Sequence, residues 1–174
     1  MNIKVLKILV SAFCFISLYY GEMGAHANPQ DGVVTAGQAT IISYGDTLRV
    51  NQNSHRAIID WRSFNIDPHE TTIFNQPSSS SLVLNRVNDV DPSRILGTLS
   101  ANGHVVIVNP NGVFFGQGSR IDVGSLTATS ANIRNVDFMS GQMNFSEPGR
   151  ETAQIVNDGS ITASTMGLVN LVAP

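Results

Sequence analysis

Apolar and polar positions alternate in short runs along most of the chain, and Gly, Asn, Asp and Ser separate the runs. This pattern is typical of strands joined by turns, and beyond the N-terminal segment we find no convincing helical periodicity. The runs predict strands at residues 33–34, 40–43, 47–50, 57–61, 72–74, 82–87, 104–108, 113–115, 121–123, 126–128, 155–156, 161–163 and 168–173. Residues 92–99 predict one short helical turn, because Pro92 follows Asp91, a good helix N-cap.

A glycine-punctuated pattern occurs twice in the second half of the chain. In residues 118–128, glycines precede two apolar pairs, and residues 159–173 repeat this order about 40 residues later. Such an offset equals two turns of a solenoid with roughly 20 residues per turn, a period at which repeat architectures are expected. Glycine and β-branched residues also recur by chance in β proteins. The pattern therefore leaves both a stacked coil and a β-sandwich open.

The stretch between the two copies of this pattern is polar. Residues 134–152 predict an excursion from the coil, in the form of a hairpin through residues 138–139 and 143–145. The sequence stops at Pro174, directly after a predicted strand. An uncapped rung exposes unpaired backbone and apolar side chains. We therefore expect these residues to be the start of a longer β-helical protein.

The first 27 residues have the features of a secretory leader. Lys4 and Lys7 precede an apolar segment, residues 8–20, and Ala25 and Ala27 form an A-x-A cleavage signal. The apolar segment is shorter than the roughly 20 residues that a membrane-spanning helix needs. We expect a signal peptide at residues 1–27, cleavage after Ala27 and a mature domain at residues 28–174.

Composition narrows the partners of the mature chain. Both lysines and the single cysteine lie in the leader, so the mature chain has eight arginines and no thiol or disulfide. The arginines are scattered and outnumbered by acids, which argues against nucleic acid as a partner. No basic amphipathic stretch predicts binding to a membrane surface, and the strands are too short for an outer-membrane barrel. Export without cysteine favours a Gram-negative envelope or secreted protein with no stable membrane insertion.

The sequence Asn109-Pro110-Asn111-Gly112 stands between two predicted strands. Asn111-Gly112 alone is enough for a tight hairpin turn, so the two residues before it need another reason. Pro110 fixes φ near −65°, Asn111 and Gly112 tolerate positive φ, and the Asn109 side chain is able to bond nearby backbone. These residue types predict a corner between two coil strands. A compatible alternative is that another molecule reads the turn.

Several segments occur in an order that resembles a known family: IDWRSFNI at residues 59–66, FNQP at 74–77, VLNRV at 83–87, ILG at 95–97, and NG to VNPNG at 102–112. Together they are similar to the N-terminal secretion domain, or haemagglutination activity domain, of filamentous haemagglutinin-type exoproteins of two-partner secretion. The resemblance covers nearly the whole mature chain. It implies an all-β fold, a right-handed parallel β-helix (a single-stranded β-solenoid) with an N-terminal cap and extra-helical β-hairpin elements.

The same resemblance implies a function in export. A dedicated outer-membrane β-barrel transporter recognises such a domain, unfolded, through its periplasmic domains. The passenger then reaches the surface of a Gram-negative bacterium or the medium, commonly as an adhesin, haemagglutinin or cytolysin. Asn109, Pro110, Asn111 and Gly112 are the implied secretion motif. The alternative is an exported β-solenoid adhesin or carbohydrate-binding module that acts directly on host or matrix ligands.

This sequence departs from one feature of the family. Some members have an Asn-Pro-Asn-Leu motif upstream, whereas residues 75–78 here read Asn-Gln-Pro-Ser. Which residues share in recognition is therefore open. The further candidates for recognition or for the cap are Asn75, Gln76, Pro77, Asn85, Arg86, Trp61 and Phe64, of which the last two are most simply core residues of the cap.

Parallel β-helices also include enzymes that cleave polysaccharides, and these enzymes need two carboxyl groups roughly 5–10 Å apart. The acidic candidates are Asp60, Asp67, Glu70, Asp89 and Asp91. Asp67 and Asp91 each precede proline and are better explained as turn starters. His55, His69 and His104 are too widely spaced for a local metal motif. The serine run at residues 78–81 predicts a flexible solvated loop. Taken together, these residues predict no enzyme, metal site or cofactor.

Overall fold

The computed structural model describes residues 27–174, so the predicted leader up to residue 26, with Ala25, lies outside the described residues. This part of the chain is mostly strand, with one short helix. The elements are β1 (Val33–Ala36), β2 (Ala39–Tyr44), β3 (Thr47–Gln52), β4 (Arg56–Trp61), β5 (Thr71–Asn75), β6 (Leu82–Val87), β7 (Ser93–Ile95), β8 (Thr98–Ala101), β9 (His104–Val108), β10 (Gly112–Phe115), β11 (Arg120–Val123), β12 (Ser125–Thr129), α1 (Asn135–Ser140), β13 (Gln154–Asn157), β14 (Ser160–Ala163) and β15 (Val169–Val172). Within residues 27–174, no helix has the length and apolar character to cross a bilayer.

The strands form three sheets that the chain visits in turn. The first sheet has the order β1-β4-β6-β9-β12-β15, the second β2-β3-β5-β8-β11-β14 and the third β7-β10-β13. Neighbouring strands are parallel except β1 with β4 and β2 with β3, which are antiparallel and cap the first rung. Because a strand pairs with the strand one turn later, the chain coils into the predicted parallel β-helix.

The strand register gives the period of the coil. Val83 pairs with Val105 and Val105 pairs with Leu126, so these rungs have roughly 20 residues each. Ile121, however, pairs directly with Ile161. The prediction that the two copies of the glycine-punctuated pattern lie two rungs apart is therefore wrong. They lie on adjacent rungs, and the excursion lengthens the chain between them.

The strands β4, β6 and β9 of the first sheet are buried on both faces. Their inward side chains join the apolar interior of the coil, and their outward side chains pack under the excursion. The outward cluster consists of Ile58, Leu84, Val106, Val108, Ile133 and Phe138. This double burial explains why β6 and β9 read as nearly continuous apolar runs instead of alternating ones.

The predicted helical turn at residues 92–99 is wrong. Residues Ser93–Ile95 form β7, which pairs with β10, and Thr98–Ala101 form β8, which lies between β5 and β11. Proline and aspartate before β7 favour a helix start only locally. Pairing with strands of adjacent rungs satisfies the backbone N–H and C=O groups of these short segments and overrides that preference.

The excursion is also different from the prediction. Its expected hairpin is replaced by α1, which ends at Gly141 with φ of 87°, and a single antiparallel bridge joins Asn132 to Glu147. The serine run is not uniformly solvated either, because Ser81 is buried and its Oγ lies 3.1 Å from the backbone nitrogen of Ser78, which donates to it.

Candidate functional site

The sequence Asn109-Pro110-Asn111-Gly112 forms the corner between β9 in the first sheet and β10 in the third. The backbone N–H of Gly112 donates to the carbonyl oxygen of Asn109 at 2.9 Å, which closes a β-turn. Asn at the first position, Pro at the second and Gly at the fourth is the order that type I turns favour. Turn geometry thus accounts for the choice of residue types.

The Asn109 side chain connects this corner to the preceding rung. Asn109 is fully buried. Its Oδ1 accepts the backbone N–H of Asn111 at 2.9 Å, the pattern of an Asx-turn. Its Nδ2 donates to the carbonyl oxygen of Asp91 at 3.1 Å and to Ser93 Oγ at 3.0 Å. The expected bonding of Asn109 to nearby backbone is therefore confirmed, and it extends to a second strand.

The other half of the turn contacts both neighbouring rungs. Asn111 Nδ2 donates to the carbonyl oxygen of Asp89 at 2.8 Å. Gly112 has φ of 108°, and a Cβ at this position would collide with the backbone oxygen of Gln154 in β13. Of the two residues predicted to tolerate positive φ, Gly112 adopts it and Asn111 does not. Glycine is needed here for both φ and space.

Asn85 is a buried amide inside the first sheet. Its Oδ1 accepts the indole N–H of Trp61 at 2.9 Å, and its Nδ2 donates to the carbonyl oxygen of Val106 at 3.2 Å. Trp61 meets Phe64 edge-to-face, with ring centroids 5.8 Å apart, and both are buried. A buried amide is tolerated only when it is hydrogen-bonded, as here. Asn85 thus links the tryptophan of one rung to the strand two rungs further on.

Gln76 holds a different corner, between β5 and β6. Its side-chain Oε1 accepts the backbone N–H of Gly103 at 3.0 Å, and its Nε2 donates to the carbonyl oxygen of Ser81 at 3.1 Å. Its backbone N–H donates to Asn102 Oδ1 at 2.7 Å.

The neighbours of Gln76 lie at the surface. Asn75 and Pro77 are exposed. Asn75 Nδ2 donates to Asn51 Oδ1 at 2.8 Å, one rung below. These two residues, unlike Gln76, present side chains that a partner is able to contact in the folded domain.

Arg86 fastens the excursion to the outer face of the first sheet. Its Nη1 donates to Asp60 Oδ1 at 3.0 Å, and its Nε donates to Asn132 Oδ1 at 2.9 Å. Its Nη2 donates to the carbonyl oxygen of Ile133 at 2.9 Å and to Asn135 Oδ1 at 2.8 Å. Arg86 therefore bridges β4, β6 and the segment that leads into α1.

The predicted site residues do not converge on one place. Gln76 lies before the N-terminal ends of the first-sheet strands, the Asn109 corner follows their C-terminal ends, and Arg86 lies on the outer face. Sequence reasoning missed Ser93 and Asn102, which complete the two corners. Neither has a local signal, because each bonds a residue of another rung.

Two of the candidate catalytic carboxylates have structural partners. Glu70 accepts the backbone N–H groups of Ala27 and Asp67. Asp60 is paired with Arg86 at 3.0 Å. Among residues 27–174, no group of three or more His, Cys, Asp or Glu is placed to hold a metal ion. His104 is half-buried, and burial lowers the pKa of its imidazole. Its Nε2 lies 3.0 Å from Thr127 Oγ1 in an outward polar row, and both side chains line a largely apolar cavity with Phe145 and Leu168.

The sequence that forms this coil matches a known family. A sequence model of the TPS (two-partner secretion) secretion domain matches residues 25–174. The chain belongs to this family. The match runs from the predicted cleavage signal through all fifteen strands, so membership covers every residue that the structure describes.

Two curated relatives of this TPS secretion domain come from Haemophilus influenzae. The chain is 32% identical over 158 residues to the heme/hemopexin-binding protein of strain Rd, a match that covers 89% of this chain and 18% of that protein. It is 30% identical over 160 residues to a second heme/hemopexin-binding protein of the species, covering 91% and 17%. The chain spans less than a fifth of these relatives.

A solved TPS secretion domain has the same fold. The crystal structure of the HMW1 secretion domain from Haemophilus influenzae matches with a TM-score of 0.76 and 35% sequence identity, over 83% of this chain and 39% of that one. The predicted family and the predicted β-helix are both confirmed.

Proposed function

We propose that residues 28–174 direct the export of a longer exoprotein by binding a cognate outer-membrane β-barrel transporter through its periplasmic domains. The match of residues 25–174 to TPS secretion domains carries the proposal. We expect the leader to bring the chain into the periplasm of a Gram-negative bacterium, and the transporter to release it to the medium or the cell surface.

The buried corner suggests when the transporter acts. Asn109 is fully buried once the rungs have stacked, and its Nδ2 is bonded to the preceding rung. A transporter that contacts this side chain must do so before the coil closes. We infer that the chain is recognised unfolded, and that Asn109 then secures the corner when the domain folds outside.

The activity of the passenger belongs to the longer protein. Relatives named for heme or hemopexin binding share only this domain with the chain, over less than a fifth of their length. We propose an adhesin-type passenger, for which the secretion domain supplies export and the first rungs of the coil. The alternative, direct binding of host or matrix ligands by residues 28–174, predicts that the purified domain binds cells without further sequence.

Secretion from cells with and without the transporter tests the proposal. The 174-residue chain with a C-terminal epitope is expected in the medium only when its barrel transporter is present. Asn109→Ala opens the corner and is expected to leave the chain in the periplasm or to cause its degradation there. Glu151→Gln, at an exposed position of the excursion, is the matched control and is expected to be exported like the wild type.

Two results would contradict parts of this proposal separately. Release of the wild-type chain from cells without any transporter would contradict recognition by a transporter. Release of Asn109→Ala at the wild-type level, still dependent on the transporter, would show that the Asn109 corner is not part of the export signal. Asn75 and Pro77 would then be the next candidates.

A further inference from the structure

The residues directly after the predicted cleavage position are packed into the cap. Asn28 and Pro29 are buried. Asn28 Nδ2 donates to the carbonyl oxygen of Asp46 at 3.0 Å, and Asn28 Oδ1 accepts the hydroxyl of Thr72 at 2.9 Å. The residue that processing is expected to place first in the mature chain is thus part of the packed structure.

A buried carboxylate, that of Glu70, lies beside this segment. Glu70 is 2% exposed. Its Oε1 accepts the backbone N–H of Ala27 at 2.8 Å, and its Oε2 accepts the backbone N–H of Asp67 at 2.9 Å. The backbone N–H of Thr98 donates to the carbonyl oxygen of Glu70 at 3.0 Å. These bonds hold the Glu70 carboxylate against the backbone of Ala27, the residue directly before Asn28.

Removal of the leader changes the chemistry at this point. Cleavage after Ala27 converts the Asn28 nitrogen from an amide into an ammonium group with three donors. A charge-assisted bond between an ammonium and a carboxylate is shorter and about twice as strong as a neutral one. A buried carboxylate is most stable beside a cation to which it is also hydrogen-bonded.

We propose that Glu70 is the binding site for the α-ammonium group of the processed chain, so that removal of the leader after Ala27 locks the N-terminal cap. With the leader attached, the corresponding bond goes to the neutral amide of Ala27. The proposal rests on the predicted cleavage position and is independent of recognition by a transporter.

The sequence offers a specific probe of this amine. Both lysines, Lys4 and Lys7, lie in the leader, so a processed chain of residues 28–174 has its α-amine as its sole primary amine. An N-hydroxysuccinimide ester therefore labels the N-terminus alone. At neutral pH, the folded processed chain is expected to react at least about tenfold more slowly than the same chain in guanidinium chloride, each normalised to a free amine in the same solution.

Substitution of the carboxylate separates ion pairing from simple burial. Glu70→Gln keeps the size and an acceptor oxygen but removes the charge, and its labelling rate is expected to approach that of the unfolded chain. Glu151→Gln makes the same chemical change at an exposed position and is expected to react like the wild type. Mass spectrometry of the processed protein is expected to give Asn28 as the first residue.

If Glu70→Gln does not fold, the pH profile of wild-type labelling decides. Pairing with Glu70 raises the pKa of the α-amine above its ordinary range of roughly 7.7–8.0, whereas burial alone lowers it. Asp46 and Asp67, whose backbones bond Asn28 and Glu70, are the other acids of this corner. Three outcomes overturn the proposal. They are a first residue other than Asn28, a labelling profile that gives a lowered pKa for the α-amine, and equal labelling rates for the wild type and Glu70→Gln.

Discussion

At the scale of single residues, buried side-chain amides join one rung to the next. Asn85, Gln76 and Asn109 are buried, and each uses both its oxygen and its nitrogen. An amide has donors and an acceptor in one plane, so it is able to bond backbone groups on either side of a stacked strand. These residues therefore align rungs that apolar contacts alone would leave free to shift.

Asn109 is expected to be the most sensitive position of its corner. Asn109→Ala leaves the Asn111 N–H and the Asp91 carbonyl without these partners in a buried site, at a cost of about 1–3 kcal/mol in the free energy of unfolding. Asn109→Asp keeps the acceptor for Asn111 but places a buried carboxylate oxygen against the Asp91 carbonyl, and it is expected to cost at least as much. Urea unfolding of the processed proteins measures both, and a wild-type value for Asn109→Ala would show that the corner does not depend on this amide.

At the scale of elements, α1 depends on the sheet beneath it. It has six residues, no side-chain N-cap bond at Arg134 and an αL C-cap at Gly141. Helices this short are not stable alone in water. Phe138, buried against the outer face of the first sheet, and Arg86, bonded to the segment before the helix, hold it there.

Phe138→Ala is expected to release the excursion without unfolding the coil. Loss of a buried phenylalanine costs about 3–5 kcal/mol, more than a six-residue helix is able to offset. Limited proteolysis should therefore cut the variant within residues 134–152 while its sheet-like circular dichroism persists. Val136→Ala, on the exposed side of the same helix, is the control and should resist cleavage. Equal resistance of Phe138→Ala would mean that Arg86 is a sufficient anchor.

At the scale of the whole molecule, stability is shared along the stack. Each rung contacts only its neighbours, so the stability of the stack is approximately a sum of contributions from pairs of adjacent rungs. Polar side chains on the outside and apolar side chains on the inside make these contacts. One outward polar row runs from His104 in β9 through Thr127 in β12 to Asn170 in β15, with distances of 3.0 and 3.4 Å. Protonation of His104 therefore acts first on the contact between β9 and β12.

His104 is expected to make the fold less stable in acid. Burial lowers the pKa of His104 below its ordinary value of about 6.5, so the unfolded chain binds the proton more readily. Stability from this group is therefore complete above about pH 6.5 and is lost as pH falls toward the lower, folded pKa. His104→Gln removes this dependence. Chemical unfolding from pH 8 to pH 5 should show wild-type stability declining relative to the variant, and parallel profiles would contradict the prediction.

Local sequence determined where most strands run and what the Asn109 corner looks like. Side-chain alternation and turn residues act over a few positions, so the bounds of β6 and β9 agree with the predicted ones. The residue order Asn-Pro-Asn-Gly likewise carries its own turn, since the bonds that close it lie within four residues. The family, too, was recognisable from short ordered segments.

Tertiary structure decided whatever depends on a neighbouring rung. β7 and β8 are too short to show alternation and exist because strands of other rungs pair with them. The excursion became a helix because the outer face of the first sheet buries Phe138, and its inserted length turned an apparent two-rung repeat into adjacent rungs. Asn109 finds its partners Asp91 and Ser93, and Glu70 its partner Ala27, only after the coil has brought distant backbone together.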